Sequence, residues 1–329
     1  MSTPRLSIIV IAYDMPRQAL NTLISLSPAY QQRVDADDYE VIVVENRSAR
    51  NMDEEAIAAL PGQFRYFLRN EKGVSPAPAI NFGIAQAKGK FIGLMIDGAR
   101  MVSPGVVHHA LMAFTMTPDA LVLVPGYHLG EDEQQFNLSS GYDEAKEQSL
   151  LEEIDWWNDG YRLFDISCLS QANPHGIFHP FMECNCLFVH ADILADIGGA
   201  NEQFDMAGGG SLNLYMYRLL AVHPRTDAFV LPGEGSFHQF HGGVTTSEIE
   251  GRDELLAAQS AQLNRLLGHN FRAPKIQPTL LGKMHGPALR YLQHSVDRGI
   301  ARVQRFASEG RELYDDDVRK REGASPSKN

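Results

Sequence analysis

Cysteine is scarce in this chain. Cys168, Cys184 and Cys186 are the three it has. An odd number with a Cys184-Asn-Cys186 spacing makes neither a disulfide framework nor a CxxC pair. A reducing, cytoplasmic setting is the expectation. Positive charge is also short: 29 Lys and Arg face 41 Asp and Glu, a formal net charge of −12. With no basic patch to offset that balance, nucleic acid is not an expected partner. Any anionic ligand must then be met by local positive charge or by a metal. No apolar run approaches the roughly 20 residues that cross a bilayer. Residues 1–5 lack the charged-then-apolar order of a signal peptide. A phosphate-cradling glycine loop is missing as well: no GxGxxG follows the first apolar run, and there is no GKS or GKT. That argues against a nicotinamide-dinucleotide enzyme and against a P-loop NTPase.

What remains is ample apolar material. With 329 residues, 44% hydrophobic and 21% charged, the chain can bury a large core as one large or two fused domains. Residues 6–12 (LSIIVIA), 39–44 (YEVIVV), 64–68 and 91–96 read as strands, the first two nearly continuous in β-branched residues, as in a sheet covered on both faces. Helical patterns over 17–26, a short one opened by Asp53-Glu-Glu55, and 76–87 fall between them. This β-α-β-α-β-α-β order predicts a doubly wound, mainly parallel α/β sheet with helices on both faces. Further on, 104–116 reads as a helix, 120–124 as a strand, 126–149 as a long loop, 181–190 as a strand, 211–220 as a helix, 227–231 as a strand and 233–246 as a Gly- and His-rich loop. Asp192 is expected to cap a short helix. Residues 166–179 form a second specificity loop in this reading. Residues 253–267 and 286–313 form a helical C-terminal extension, and 315–329 a charged, disordered tail.

The stretch around which the rest is arranged is Phe91-Ile-Gly-Leu-Met-Ile-Asp-Gly-Ala-Arg100. It is a short buried strand that stops on a carboxylate. Ligands of open α/β sheets bind at the carboxyl ends of the strands. Tyr13-Asp14, Glu45-Asn-Arg-Ser48 and Asp97 all gather at that edge, and Gly98 would let backbone approach a ligand. The acids could bind the base and ribose of a nucleotide, or a divalent cation. The plainer reading of Asp97 is a turn cap before Ser103-Pro104. Trp156-Trp157 are a core or interface anchor, or a platform for a sugar ring. A zinc site from Cys184, Cys186, His179 and His190 lacks a recognised spacing, and buried strand cysteines are the plainer reading.

In order along the chain, Ile9–Asp14, Val43–Ser48 (VVENRS), Asn70–Gly89 (NEKGVSPAPAINFGIAQAKG) and Asp97-Gly-Ala99 follow one another. This series resembles the GT-A glycosyltransferases of family 2, over residues 6–246. The family shows a strand with Tyr-Asn, a V-D-N-x-S strand end, an N-x-G-x-x-x-A-x-N-x-G helix and D-x-D. The resemblance implies a GT-A fold, with a donor half at 1–103, an acceptor half of the same domain at 104–247 and C-terminal helices at 248–314 that cover the acceptor side or make a homodimer. It implies transfer of a sugar from a UDP- or GDP-sugar to the hydroxyl of a glycan or other acceptor, inverting and metal-assisted. Tyr13, Asp14, Glu45, Arg47, Lys72, Asn81 and Arg100 would line the donor. Asp97 would hold Mn²⁺ or Mg²⁺, with His238 or His241 completing the shell. Two departures stand out. Ala99 replaces the second acid of D-x-D, and Arg100 could bind phosphate in its place. The late G-E-D-x-D-L motif is GGSLNL here, with Gly210 and Ser211 where the acids should be, so a base must come from elsewhere, Asp205 or Glu202. A GT-A-like domain that binds nucleotide sugar or glycan without turnover is the alternative. A nucleotidyltransferase would need a Gly-rich basic loop that residues 13–17 do not supply.

Overall fold

The computed structural model describes residues 3–133, 141–241 and 251–315. The expected tail at 316–329, residues 134–140 of the long loop and 242–246 of the histidine loop lie outside them. The core is an eight-stranded sheet built on strand β1 (Leu6–Ala12), in which all seven residues are buried. β2 (Tyr39–Asn46) and β4 (Phe91–Met95) flank it in parallel, and β3 (Phe64–Arg69) lies outside β2. Each Ile or Val of β1 taken out of water contributes about 1.5–3 kcal/mol, so this strand fixes the sheet's register. The remaining strands are β6 (Ala120–Leu123), β9 (Cys186–His190), β10 (Asp227–Val230) and β12 (Thr279–Leu280), and the order is β12-β10-β6-β9-β4-β1-β2-β3. β9 runs antiparallel to both its neighbours, and every other pairing is parallel. The sheet is therefore mainly parallel, as expected, with one reversed strand. That reversal matters below, because it brings the amino end of β9 to the edge where the parallel strands have their carboxyl ends.

Helices α1 (Pro16–Ser25), α2 (Glu54–Ala58), α3 (Ala77–Gln86) and α4 (Val106–Met116) follow the strand–helix alternation. Two apolar cores, one on each face of the sheet, gather alternate β1 residues: Ile8 and Val10 on one side, Ile9 and Ile11 on the other. Gly98 proves to be packed against protein rather than open to a ligand. A Cβ there would lie 2.5 Å from the Ile11 carbonyl oxygen. Its own carbonyl accepts the Thr22 hydroxyl at 2.7 Å.

A second, four-stranded sheet was not anticipated. Its order is β5-β11-β7-β8, from β5 (Arg100–Val102), β7 (Gly126–Leu129), β8 (Ser167–Leu169) and β11 (Ser236–His238). Three of these strands lie in stretches expected to be loops. Each is only three or four residues long, too short to show a period. The supposed 126–149 loop also contains helix α5 (Glu144–Glu153), capped by the Asp143 side chain. Later come α6 (Ala191–Asp196), α7 (Leu212–Ala221), α8 (Arg252–Leu267) and α9 (Leu289–Ala307). α6 is capped by His190, which accepts the Asp192 N–H at 3.0 Å, so Asp192 sits in the first turn instead of at the cap. The C-terminal part is not purely helical: β12 adds an edge strand to the main sheet. Among the described residues no helix is long and apolar enough to cross a membrane.

Candidate functional site

Parallel pairing of β4, β1 and β2 places their carboxyl ends side by side, with Val10 opposite Met95 and Ala12 opposite Glu45. Asp97 follows β4 directly. Its Oδ1 accepts the Ala99 N–H at 3.0 Å, a tight turn that fixes the carboxylate. The small sheet then delivers the partners. In its ladder His238 lies opposite Arg100 on one side and opposite His128 on the other. Directly opposed residues share a face of a sheet, so three cationic or imidazole side chains line up in a row.

Asp97, His238 and His241 converge, with one ligand atom from each lying within 4.8 Å of the others. Asp97 Oδ2 is 2.7 Å from His238 Nε2, Asp97 Oδ1 is 3.7 Å from His241 Nε2, and the two imidazole Nε2 atoms are 3.0 Å apart. Behind them, His238 Nδ1 meets His128 Nδ1 at 3.3 Å. The histidine loop is held from several sides. The Gln239 N–H donates to the Ala99 carbonyl at 2.8 Å, and the Gln239 amide donates to the Gln18 carbonyl at 2.8 Å. Glu147 on α5, itself fully buried, accepts the Phe240 N–H at 2.6 Å and Arg17 at 3.0 Å.

Burial pushes His238 down to about 4, against the opposing pull of Asp97, so its imidazole is neutral at physiological pH. Burial likewise holds His128 well below the usual histidine range. For Asp97, burial acts to raise the carboxyl, but His238, then His241 and Arg100, outweigh it and keep the group ionised. One carboxylate and two imidazoles, at least one of them held neutral, form a mixed oxygen and nitrogen donor set that fits a divalent first-row cation. Arg100 supplies a second sign that a ligand belongs here. It is 6% exposed, its Nε lies 3.5 Å from Asp97 Oδ2, and its Nε and Nη1 have no hydrogen-bond partner among the described residues. Two buried guanidinium N–H groups left unpaired are costly unless an anion meets them. The residues present thus fit a divalent cation with an anionic ligand beside it. Ala99 is 0% exposed and packed in the core, so the missing acid of D-x-D corresponds to an inward-facing position.

The other residues singled out from the sequence fare differently. Tyr13 is 59% exposed at the end of β1, and Arg47 and Lys72 are exposed on the loops after β2 and β3. Asp14 sits at φ +54° and is tied to Arg50, whose N–H, Nε and Nη2 all reach it. Glu45 is fully buried. It accepts the Met52 N–H at 3.0 Å and the Tyr66 hydroxyl at 2.5 Å, and so anchors the loop after β2 instead of facing a ligand. Asn81 is likewise structural: its amide exchanges two 2.9 Å hydrogen bonds with Ala200 and donates to Glu202 at 2.9 Å. Glu202 is thereby engaged on the surface. Asp205 is exposed and accepts Gln262 from α8 at 2.9 Å. Trp156 packs on Tyr30 at 5.6 Å between ring centroids and joins the core of the small sheet, while Trp157 is 45% exposed. Among the described residues Cys184, Cys186, His179 and His190 form no metal cluster. Cys184 is buried and donates to the Cys186 carbonyl.

Two residues were missed. His128 fell in a supposed loop, with no signal short of the small sheet's pairing. Glu183 was passed over as part of a strand. It precedes β9, half-buried, with its carboxylate accepting from Asn185 at 3.3 Å and from Asn213. Burial raises its carboxyl, partly offset by Arg100.

The mainly parallel wound sheet, its one reversed strand and the carboxylate after β4 define a GT-A architecture. The family model for glycosyl transferase family 2 matches residues 7–182, more than half of the chain, and the chain belongs to that family. No functionally curated protein matches it by sequence. Among solved structures it is similar to Staphylococcus aureus TarS, residues 1–349, in complex with UDP-GlcNAc. That match has a TM-score of 0.51 at 13% identity and covers 93% of this chain and 76% of that one. A mannosyltransferase from Pyrobaculum calidifontis, in complex with GDP-Man and Mn²⁺, aligns with a TM-score of 0.43 at 14% identity over 95% of this chain and 77% of that one.

Proposed function

We propose that this glycosyltransferase moves a sugar from a nucleoside-diphosphate sugar to an acceptor hydroxyl with inversion, using a divalent cation held by Asp97, His238 and His241. The observation that carries the reading is the convergence of those three side chains beside Arg100, whose Nε and Nη1 make no hydrogen bond to the described residues. A bound Mn²⁺ or Mg²⁺ supplies Lewis-acid neutralisation of the diphosphate leaving group. Arg100 donates Nε–H and Nη1–H to a phosphate oxygen and so takes over part of the charge that the second acid of D-x-D would otherwise manage through the metal. His128 sets the His238 tautomer. Once a cation takes the place of the Nε2 proton that His238 shares with Asp97, His128 Nδ1 would accept the His238 Nδ1–H and leave Nε2 as the ligand atom. Tyr13, Asp14, Arg47 and Lys72 border the donor on the side of residues 1–103, and residues 104–247 form the acceptor side. UDP-GlcNAc, the ligand of the TarS structure, is the first donor to test.

The test is nucleotide release from UDP-GlcNAc, UDP-glucose, UDP-galactose and GDP-mannose, with and without Mn²⁺, followed by calorimetric titration of UDP and GDP. Metal-dependent release supports transfer. Saturable binding with no release supports the alternative, a nucleotide-sugar-binding domain without turnover. No binding of either nucleotide removes both readings.

A further inference from the structure

The family motif that carries the acceptor-side acids is GGSLNL here, and it coincides with the start of α7. Gly210 and Ser211 have no proton-accepting carboxylate to offer. The chain nevertheless brings a carboxylate to that helix start from another element. β9 runs against its neighbours, with Cys186 opposite Met95, so the segment just before it emerges at the same sheet edge as Asp97. Glu183 lies there. Asn213, in the first turn of α7, donates to Glu183 Oε2 and also to Asn185 Oδ1 at 2.9 Å, while Asn185 donates to Glu183 Oε1 at 3.3 Å. The two asparagines orient the carboxylate and occupy only part of its capacity, since a carboxylate offers about four lone-pair sites. The charged groups that act on it are Arg100 on β5 and Asp97 after β4, which ties it electrostatically to the donor site. Asp205 and Glu202, by contrast, are exposed and bonded to Gln262 and Asn81.

We infer that Glu183 is the catalytic base, standing in for the acid lost from the start of α7. The inference rests on the glycosyl-transfer reading above. In the step, the acceptor hydroxyl oxygen bonds to C1 of the donor sugar as its proton passes to a Glu183 carboxylate oxygen. The bond from C1 to the diphosphate oxygen breaks, and its electron pair leaves with the nucleoside diphosphate. A half-buried carboxylate suits this role, since burial raises its proton affinity while the residue keeps part of its surface exposed.

The experiment uses the full chain with Mn²⁺ and the four donors named above, water being the acceptor. Glu183→Gln, which keeps the asparagine contacts, is expected to lower kcat by about 10²- to 10⁴-fold with donor KM unchanged, and the acid limb of the pH–kcat profile should vanish. Azide carries no proton to remove. In folded Glu183→Ala it is therefore expected to restore turnover as glycosyl azide, a rescue that a purely structural glutamate would not permit. Full activity of Glu183→Gln, no azide rescue in folded Glu183→Ala, or a larger loss in Asp205→Asn than in Glu183→Gln each overturns the assignment. A wild-type chain that releases no nucleotide from any donor overturns the transfer reading itself, and is told apart because the unsubstituted protein is then silent.

Discussion

Replacing Arg100 by Met separates a structural ion pair from a ligand site. The guanidinium lies 3.5 Å from Asp97. At an effective dielectric of about 20, that contact is worth about 5 kcal/mol of gross attraction. Against it stands the desolvation of two buried N–H groups, Nε and Nη1, that have no hydrogen-bond partner among the described residues, each costing about 1–3 kcal/mol. The terms nearly cancel. Asp97 is still 22% exposed, and without Arg100 it keeps the Ala99 N–H and His238, so it is not stranded. The expected change in unfolding free energy for Arg100→Met in ligand-free protein is within about 2 kcal/mol of zero, read by urea denaturation. Binding should respond far more. Losing two charge-assisted hydrogen bonds, at about 1.5–3 kcal/mol each, should weaken UDP or GDP at least about 100-fold by calorimetry. Mn²⁺ alone should bind tighter, because a competing cation has left Asp97. A loss of more than about 3 kcal/mol in stability with nucleotide affinity intact would refute the reasoning and make Arg100 a structural partner.

Other outcomes follow from the same geometry. Asp97→Asn and His238→Ala should each abolish Mn²⁺ binding measurable by electron paramagnetic resonance, and unchanged binding in either would place the cation elsewhere. His128→Phe removes the acceptor that sets the His238 tautomer and should weaken Mn²⁺ about 10- to 100-fold while leaving the fold intact by circular dichroism. His238 has a folded value near 4, below its ordinary 6.5, so between those pH values the unfolded chain binds the extra proton. Stability should therefore rise with pH across that window and fall as pH drops from 6.5 toward 4, with the urea midpoint as the measurement. His238→Phe should flatten the dependence, and an equally steep slope in that variant would assign it to other groups. Gly98→Ala sets a Cβ 2.5 Å from the Ile11 carbonyl and should destabilise the protein by about 1–3 kcal/mol, seen as a lowered Tm.

The long buried strands and the helices between them were legible because their signal is local: β1 and β2 are runs rich in β-branched residues, and they pair with each other as chain neighbours. Asp97 was legible for the same reason, as a carboxylate stopping an apolar run. The second sheet was not, because its strands are three or four residues long and its partners lie far apart in the chain. Arg100 meets His238 only through that ladder. Glu45 and Asn81 show the converse: their positions were read from motif order, but nothing along the chain reveals their hydrogen bonds with Met52, Tyr66 and Ala200. Glu183 was hidden because its importance comes from the reversal of β9, a fact of topology.

The pairing of residues 100–102 with 236–238 has a consequence for synthesis. A nascent chain can complete the wound half, Asp97 included, long before the two imidazoles exist. The stretch matched by the family model stops at residue 182, short of Glu183 and of both histidines. The cluster of Asp97, His238 and His241 accordingly forms late, when the returning strand zips onto its early partner. A chain stalled or clipped before that point would carry a recognisable family fold with Asp97 in place and both imidazoles missing.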